Sequence, residues 1–202
     1  MPPVANDPDV TLVLGGARSG KSAFAQRLAA ASEGPVLFVA TGVATDDEMA
    51  ARIAAHKAAR PADWRCVEAP ARIGDAIRRN AADARVVLVD CLSFLVSNCL
   101  FGSDGTTETP DEPTAWRRIE AELQEMGDSA RTLQAQLIVV SNEVGMSVVP
   151  EYPLGRIYRD LLGRTNQEMA REATMVYLMV AGIPIDIKAL GLTAPPPPRA
   201  AR

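Results

Sequence analysis

The eight residues Gly15, Gly16, Ala17, Arg18, Ser19, Gly20, Lys21 and Ser22 fit the spacing G-x-x-x-x-G-K-[ST]. The glycines let backbone N–H groups turn inward around phosphate oxygens, and Lys21 supplies a point charge to the β and γ phosphates. The Ser22 hydroxyl is a ligand for Mg²⁺, and a helix starting at Lys21 adds its positive end. Arg18 brings a second cation into the loop. The apolar run TLVLG precedes the motif and a helical pattern follows it. That context separates a phosphate cradle from a glycine turn before an ordinary helix. Asp90 ends another apolar run, VVLVD. An acid at a strand tip either helps hold the Mg²⁺ of a P-loop protein or caps the next helix.

His56 is the one histidine in 202 residues. Thr45-Asp46-Asp47-Glu48 has the capping-box pattern, which predicts a helix from Asp46 to Ala59, stopped by Pro61. Glu48, Arg52, His56 and Arg60 recur every fourth residue and share one face, beside an apolar stripe of Met49 and Ile53. Two cations one turn away from the imidazole disfavour a third charge, so its pKa is expected below the usual ~6.5. A neutral ring nitrogen is a nucleophile, and the flanking cations, with Lys57, would hold the phosphates of a nucleotide. Glu68, after Trp64, would meet its base or ribose. This suits attack on phosphorus to give a covalent nucleotidyl-histidine. The same pattern also describes a histidine on a solvated basic face, and spacing leaves both readings open.

The elements that must position these groups alternate in type. The runs Thr11–Gly15, Val36–Ala40, Val86–Asp90, Leu137–Ser141 and Met175–Val180 are continuous rather than alternating, as strands covered on both faces are. A further short strand is predicted at Ile185–Lys188. Helical patterns occupy Lys21–Ala31, Asp46–Ala59, Ile73–Ala81, Thr114–Gln134 and Leu154–Arg171. The expectation is an α/β fold, a mostly parallel sheet flanked by helices, in one catalytic domain over residues 1–192. The breaker-rich stretch Gly102–Pro113 reads as a loop, and residues 193–202 as a Pro-rich tail. Ligands of open α/β sheets bind outside the carboxyl ends of the strands. Gly15, Ala40, Thr41, Gly42, Asp90, Asn142 and Glu143 should therefore share one crevice.

Composition limits the alternatives. A net charge of -4 and a pI near 5.1 argue against a nucleic-acid surface and give no reason to bind anionic lipid. No apolar run reaches membrane-spanning length, and the N-terminal residues lack the pattern of a signal peptide. Cys66, Cys91 and Cys99 form no CxxC pair and read as reduced thiols. A cytoplasmic protein is expected.

Several stretches add a resemblance. GGARSGKS, ATGVATDDEMAARIAAHKAARPADW, VDCLSFLVSN, VVSNEVGMSVVP, GRIYRDLLGRTNQEMAREA and VAGIPIDIK occur in that order. Together, over residues 11 to 188, they resemble the bifunctional adenosylcobinamide kinase / adenosylcobinamide-phosphate guanylyltransferase family of cobalamin biosynthesis. The resemblance implies two steps. ATP or GTP phosphorylates adenosylcobinamide, and GTP then transfers GMP to the resulting phosphate, giving adenosylcobinamide-GDP and pyrophosphate. The second step would run through a guanylylated histidine, at His56 here. Members often carry two adjacent histidines, where this chain has Ala55 and His56. The nucleotide positions implied are Gly15 to Ser22, Ala40, Thr41, Gly42, Lys57, Ala58, Ala59, Arg60, Glu68 and Asp90, with Mg²⁺ on Ser22 and Asp90. A RecA-like P-loop sheet and a homotrimer are likewise implied.

Other residues carry two readings. Glu143 would orient the acceptor hydroxyl or Mg²⁺, or cap its own loop. Arg156, Arg159 and Arg164 would bind phosphate or corrinoid groups, or form a solvated helix face. Trp64 and Trp116 read as packing, and Met146, Met169, Met175 and Met179 as core filler. Two rival functions stay open: a P-loop small-molecule kinase with His56 idle, and a non-enzymatic nucleotide switch.

Overall fold

The computed structural model of the chain describes residues 9–43, 47, 51, 57, 60–81, 83–102 and 111–191. The continuous apolar runs become strands because alternate side chains supply two different cores. Leu12, Leu37, Val87 and Val139 face one, while Val13, Phe38, Leu88 and Ile138 face the other. The strands are β1 (Val10–Gly15), β2 (Val36–Ala40), β3 (Arg65–Glu68), β4 (Val86–Asp90), β5 (Gln136–Val140), β6 (Met175–Val180) and β7 (Ile183–Asp186). They form one sheet in the order β3-β2-β4-β5-β1-β6-β7. All pairings are parallel except β6 with β7, which is an antiparallel hairpin.

Helix α1 (Lys21–Ala31) covers one face, burying Ala25 and Ala29 against the core that also takes in Trp64. Four helices cover the other: α2 (Ile73–Asn80), α3 (Leu92–Phe101), α4 (Glu112–Leu133) and α5 (Pro153–Glu172). Helix α4 starts where Asp111 accepts a hydrogen bond from the Thr114 N–H at 2.9 Å, with Pro113 in the first turn. A short α6 (Ile187–Gly191) follows the hairpin.

Helices α2 and α4 meet at Gly74. A β-carbon built there would lie 2.7 Å from the Glu125 carbonyl oxygen and 2.8 Å from the Glu125 β-carbon. Backbone on both sides leaves little room to yield, so Gly74→Ala is expected to destabilise the fold by about 1–3 kcal/mol. Its higher helix propensity returns about 1 kcal/mol at most. The urea midpoint measures the balance, and an unchanged midpoint would mean that the helices separate freely.

The five predicted strands are present, and the hairpin strand lies two residues earlier than expected, at Ile183–Asp186. Three elements were not foreseen: strand β3, helix α3 and the short α6, where a strand was expected to run to Lys188. Strand β3 is a short edge strand whose side chains are mostly exposed, so it has no apolar run to mark it. Helix α3 buries Leu92, Ser93, Leu95, Val96, Cys99 and Leu100. Enclosed on several sides, it shows no amphipathic stripe. The helix expected over Asp46–Ala59 falls largely outside the described residues; Asp47, Ala51 and Lys57 are helical. Residues 103–110 of the expected loop and the tail 193–202 also lie outside them. Met169 and Met179 are buried as expected, but Met146 is 81% exposed on the loop after β5, so it is not core. The thiols are free: Cys66 is exposed, and burial pushes Cys91 up to about 11 and Cys99 to about 12. No helix among the described residues is long and apolar enough to cross a membrane.

Candidate functional site

Parallel pairing brings the carboxyl ends of the strands to one edge. Gly15, Ala40, Glu68 and Asp90 are the last residues of β1, β2, β3 and β4. Ala40 is in register with both Glu68 and Asp90. With strands about 4.8 Å apart, the four spacings from β1 to β3 make a crevice floor of about 19 Å.

The phosphate loop lies at the β1 end. Gly15 has φ 154°, and a β-carbon on it would lie 2.6 Å from Ser19 Oγ and 2.7 Å from the Met179 carbonyl oxygen. Only glycine fits this turn. Gly20, at φ 93°, precedes α1 without any side-chain cap, which leaves the first N–H groups of the helix for a ligand. Arg18 is exposed, in the left-handed region at φ 55°. Lys21 is 8% exposed, and its ammonium donates to the Gly16 carbonyl at 2.6 Å. Burial holds its pKa below the ordinary 10.5, opposed by the negative fields of Cys91 and Asp90.

A second set of contacts fixes that acid. The Thr41 hydroxyl donates to the Cys91 carbonyl at 2.7 Å and accepts the Cys91 N–H at 2.8 Å. The Thr41 N–H donates to the Asp90 carbonyl at 3.2 Å. Thr41 is fully buried and has no donor left over, so it shapes the loop after β2. Ser22 and Asp90 present a hydroxyl and a carboxylate, hard oxygen donors of the kind Mg²⁺ takes alongside phosphate and water.

At the far end of the crevice, Lys57 and Glu68 form an exposed ion pair at 3.3 Å. Such a pair contributes about 0.2–1 kcal/mol and opens readily. The Arg60 guanidinium lies 3.7 Å from the centre of the Phe38 ring. His56, Arg52, Ala58 and Ala59 lie outside the described residues.

Several side chains are engaged within the chain. Glu143 accepts the Gly145 N–H at 2.6 Å, which caps its own loop, while its N–H donates to the Gly15 carbonyl at 3.0 Å. Arg156 donates to the carbonyls of Pro150 and Glu151, Arg159 pairs with Asp160, and Arg164 covers the Trp116 ring at 3.6 Å. Trp64 and Trp116 are buried, as packing requires.

Two supports were missed. The Gly182 N–H, in the turn between β6 and β7, donates to the Ser19 carbonyl at 3.0 Å and braces the phosphate loop. Beneath the crevice, Ser141 donates to Asn166 at 2.6 Å, Asn166 donates to the Asn142 carbonyl at 3.0 Å, and Ser93 accepts the Asn142 N–H at 3.1 Å. The signal for this layer was polar residues on otherwise apolar segments, such as Asn166 in GRTNQEM.

The chain is 42% identical over 179 residues to the bifunctional adenosylcobalamin biosynthesis protein CobU of Escherichia coli, covering 88% of this chain and 98% of that one. It is 42% identical over 180 residues to the protein of the same name from Salmonella typhimurium, with the same coverage. Against CobP of Pseudomonas aeruginosa the identity is 41% over 177 residues, covering 88% and 96%. Among solved structures, the RadB recombinase aligns at a TM-score of 0.47 and 15% identity, over 84% of this chain and 73% of that one. The sequence profile of CobU, described as cobinamide kinase / cobinamide phosphate guanyltransferase, matches residues 11–187. This chain belongs to the cobinamide kinase / cobinamide phosphate guanyltransferase family.

Proposed function

We propose that the chain phosphorylates adenosylcobinamide with ATP or GTP, then transfers GMP from GTP to the adenosylcobinamide phosphate through a guanylyl-histidine at His56. The observation that carries this reading is the crevice itself. An uncapped helix start with a buried lysine lies at one end, and the Lys57–Glu68 pair lies at the other.

In the first step the acceptor hydroxyl oxygen bonds to the γ-phosphorus. The bond from that phosphorus to the β-γ bridging oxygen breaks, and the hydroxyl proton is released. The protein's task is positioning and charge stabilisation. Lys21, Arg18 and the N–H groups of α1 face the transferring phosphate. Ser22 and Asp90 would hold Mg²⁺, which neutralises phosphate charge when bound with the nucleotide. In the second step a neutral His56 nitrogen bonds to the α-phosphorus of GTP and pyrophosphate leaves. An oxygen of adenosylcobinamide phosphate then displaces the imidazole, giving adenosylcobinamide-GDP. Lys57 and Glu68, once their pair opens, would meet the nucleotide on that side, with Arg60 beside them.

Mass analysis of products tests both steps. Adenosylcobinamide, ATP and Mg²⁺ should give the phosphate, and GTP should carry it on to adenosylcobinamide-GDP. Phosphate alone would favour the small-molecule kinase reading, and no corrinoid product would favour the nucleotide switch. The proposal extends to a homotrimer in the cytoplasm. It is supported by exposed Val180, Ile183 and Ile185 on the hairpin, by exposed Leu190 on α6 and by the free thiols. Sedimentation at working concentration tests the assembly.

A further inference from the structure

Asn98 lies on α3 and belongs to the VDCLSFLVSN stretch, of which the proposed mechanism uses only Asp90. Its side-chain amide donates one N–H to the Thr41 carbonyl at 2.9 Å and the other to the Pro70 carbonyl at 2.8 Å. Thr41 directly follows β2, and Pro70 stands just beyond β3. The chain between them carries His56, Lys57, Arg60 and Glu68. One amide therefore ties both feet of the excursion that bears the nucleophile.

The same feet are tied to each other and to β4. The Ala69 N–H donates to the Ala40 carbonyl at 2.8 Å, and the Thr41 N–H and hydroxyl bind the Asp90 and Cys91 main chain. Helix α3 starts immediately after Asp90-Cys91, so one helix follows the metal-binding acid and carries the amide that fixes the loop. No hydrogen bond from Asn98 to β1, the phosphate loop or α1 is present among the described residues.

We propose that Asn98 is a positioning residue for guanylyl transfer, holding together Thr41 and Pro70, the two ends of the segment whose sequence contains His56. This rests on the function proposed above. Carbonyls at strand ends need donors, and a primary amide supplies two from one nitrogen, whereas a carboxylate or an alkyl group supplies none. Misplacing a nucleophile by about 1 Å costs on the order of 100-fold in rate. The phosphate loop is braced separately, through Gly182 and Glu143, so the kinase step should be spared.

The test uses the full chain and three measurements on wild type, Asn98→Asp and Asn98→Gln. These are the rate of protein labelling by GTP carrying label in its α-phosphate, the rate of adenosylcobinamide phosphate formation from ATP, and amide hydrogen exchange. In Asn98→Asp, labelling should slow about 10- to 100-fold while the kinase rate stays within about threefold. Asn98→Gln, which keeps both donors, should recover part of the labelling. Exchange should quicken at residues 41–43 and 65–69 and stay unchanged over 15–31. Unchanged labelling, or both rates falling by one factor with faster exchange throughout, overturns the inference, the second result marking a general structural loss. If Asn98→Asp does not fold, Asn98→Gln decides: wild-type exchange at 41–43 with labelling still lost would also overturn it. A wild-type chain that takes no label brings down the proposed function first, and this role with it.

Discussion

In His56→Ala, adenosylcobinamide phosphate should still form and adenosylcobinamide-GDP should not. Removing a covalent nucleophile deletes the route itself, so the loss in guanylyl transfer is expected to be on the order of 10⁴-fold or more. The proposed kinase step draws on the phosphate loop and Asp90 rather than on the imidazole, and should keep its rate within about threefold. Wild-type protein denatured after incubation with α-labelled GTP should retain label in an acid-labile, alkali-stable bond, as a phosphoramidate does. The alanine variant should retain none. Label persisting in that variant would take His56 out of the mechanism and leave the kinase reading alone. NMR titration adds an independent check: the sequence spacing that sets Arg52 and Arg60 four residues either side of His56 predicts an imidazole titrating below ~6.5. A raised value would contradict the cationic face, and with it the neutral nucleophile.

Lys21→Met should lower both steps by about 10²- to 10³-fold without lowering stability. In the proposed mechanism the ammonium would be the charge beneath the β and γ phosphates in either reaction, and methionine has similar reach without it. Stability should move the other way. Burial is the largest influence on Lys21 and opposes its charged form, and the negative fields of Cys91 and Asp90 compensate only in part. A lysine whose folded pKa lies below its unfolded value contributes stability that is fully present above 10.5. That contribution is lost as pH falls through the lowered folded value. Wild-type stability should therefore climb with pH across that window, and Lys21→Met should flatten the climb. Thermal midpoints at several alkaline pH values measure this. A midpoint that drops in Lys21→Met at neutral pH would show that the ammonium holds the loop together, and activity sacrificed for stability would then be the wrong description.

The two predictions draw on different kinds of information. The phosphate loop could be read from eight neighbouring residues, because it is a local object: its glycines, its cation and its helix start are contiguous in the chain. The five main strands were legible for a similar reason. A run such as VVLVD, apolar at every position, announces burial on both faces. The edge strand Arg65–Glu68 was not legible, because an exposed edge asks nothing of its side chains. Helix Leu92–Phe101 was not, because burial on several sides erases the stripe by which a helix is recognised. Met146 was misread for the converse reason, since residue type alone does not say which methionine faces water.

The sequence by itself determined the phosphate loop, the acid at the tip of a buried strand, the lone histidine and the family to which they belong. The tertiary structure alone decided the strand order, the lock of Thr41 onto Cys91, the brace of Gly182 on Ser19 and the grip of Asn98 on Thr41 and Pro70. Periodicity records that a side chain is buried but not what it is buried against. Hydrogen bonds between residues tens of positions apart exist only once parallel pairing has brought their strands side by side.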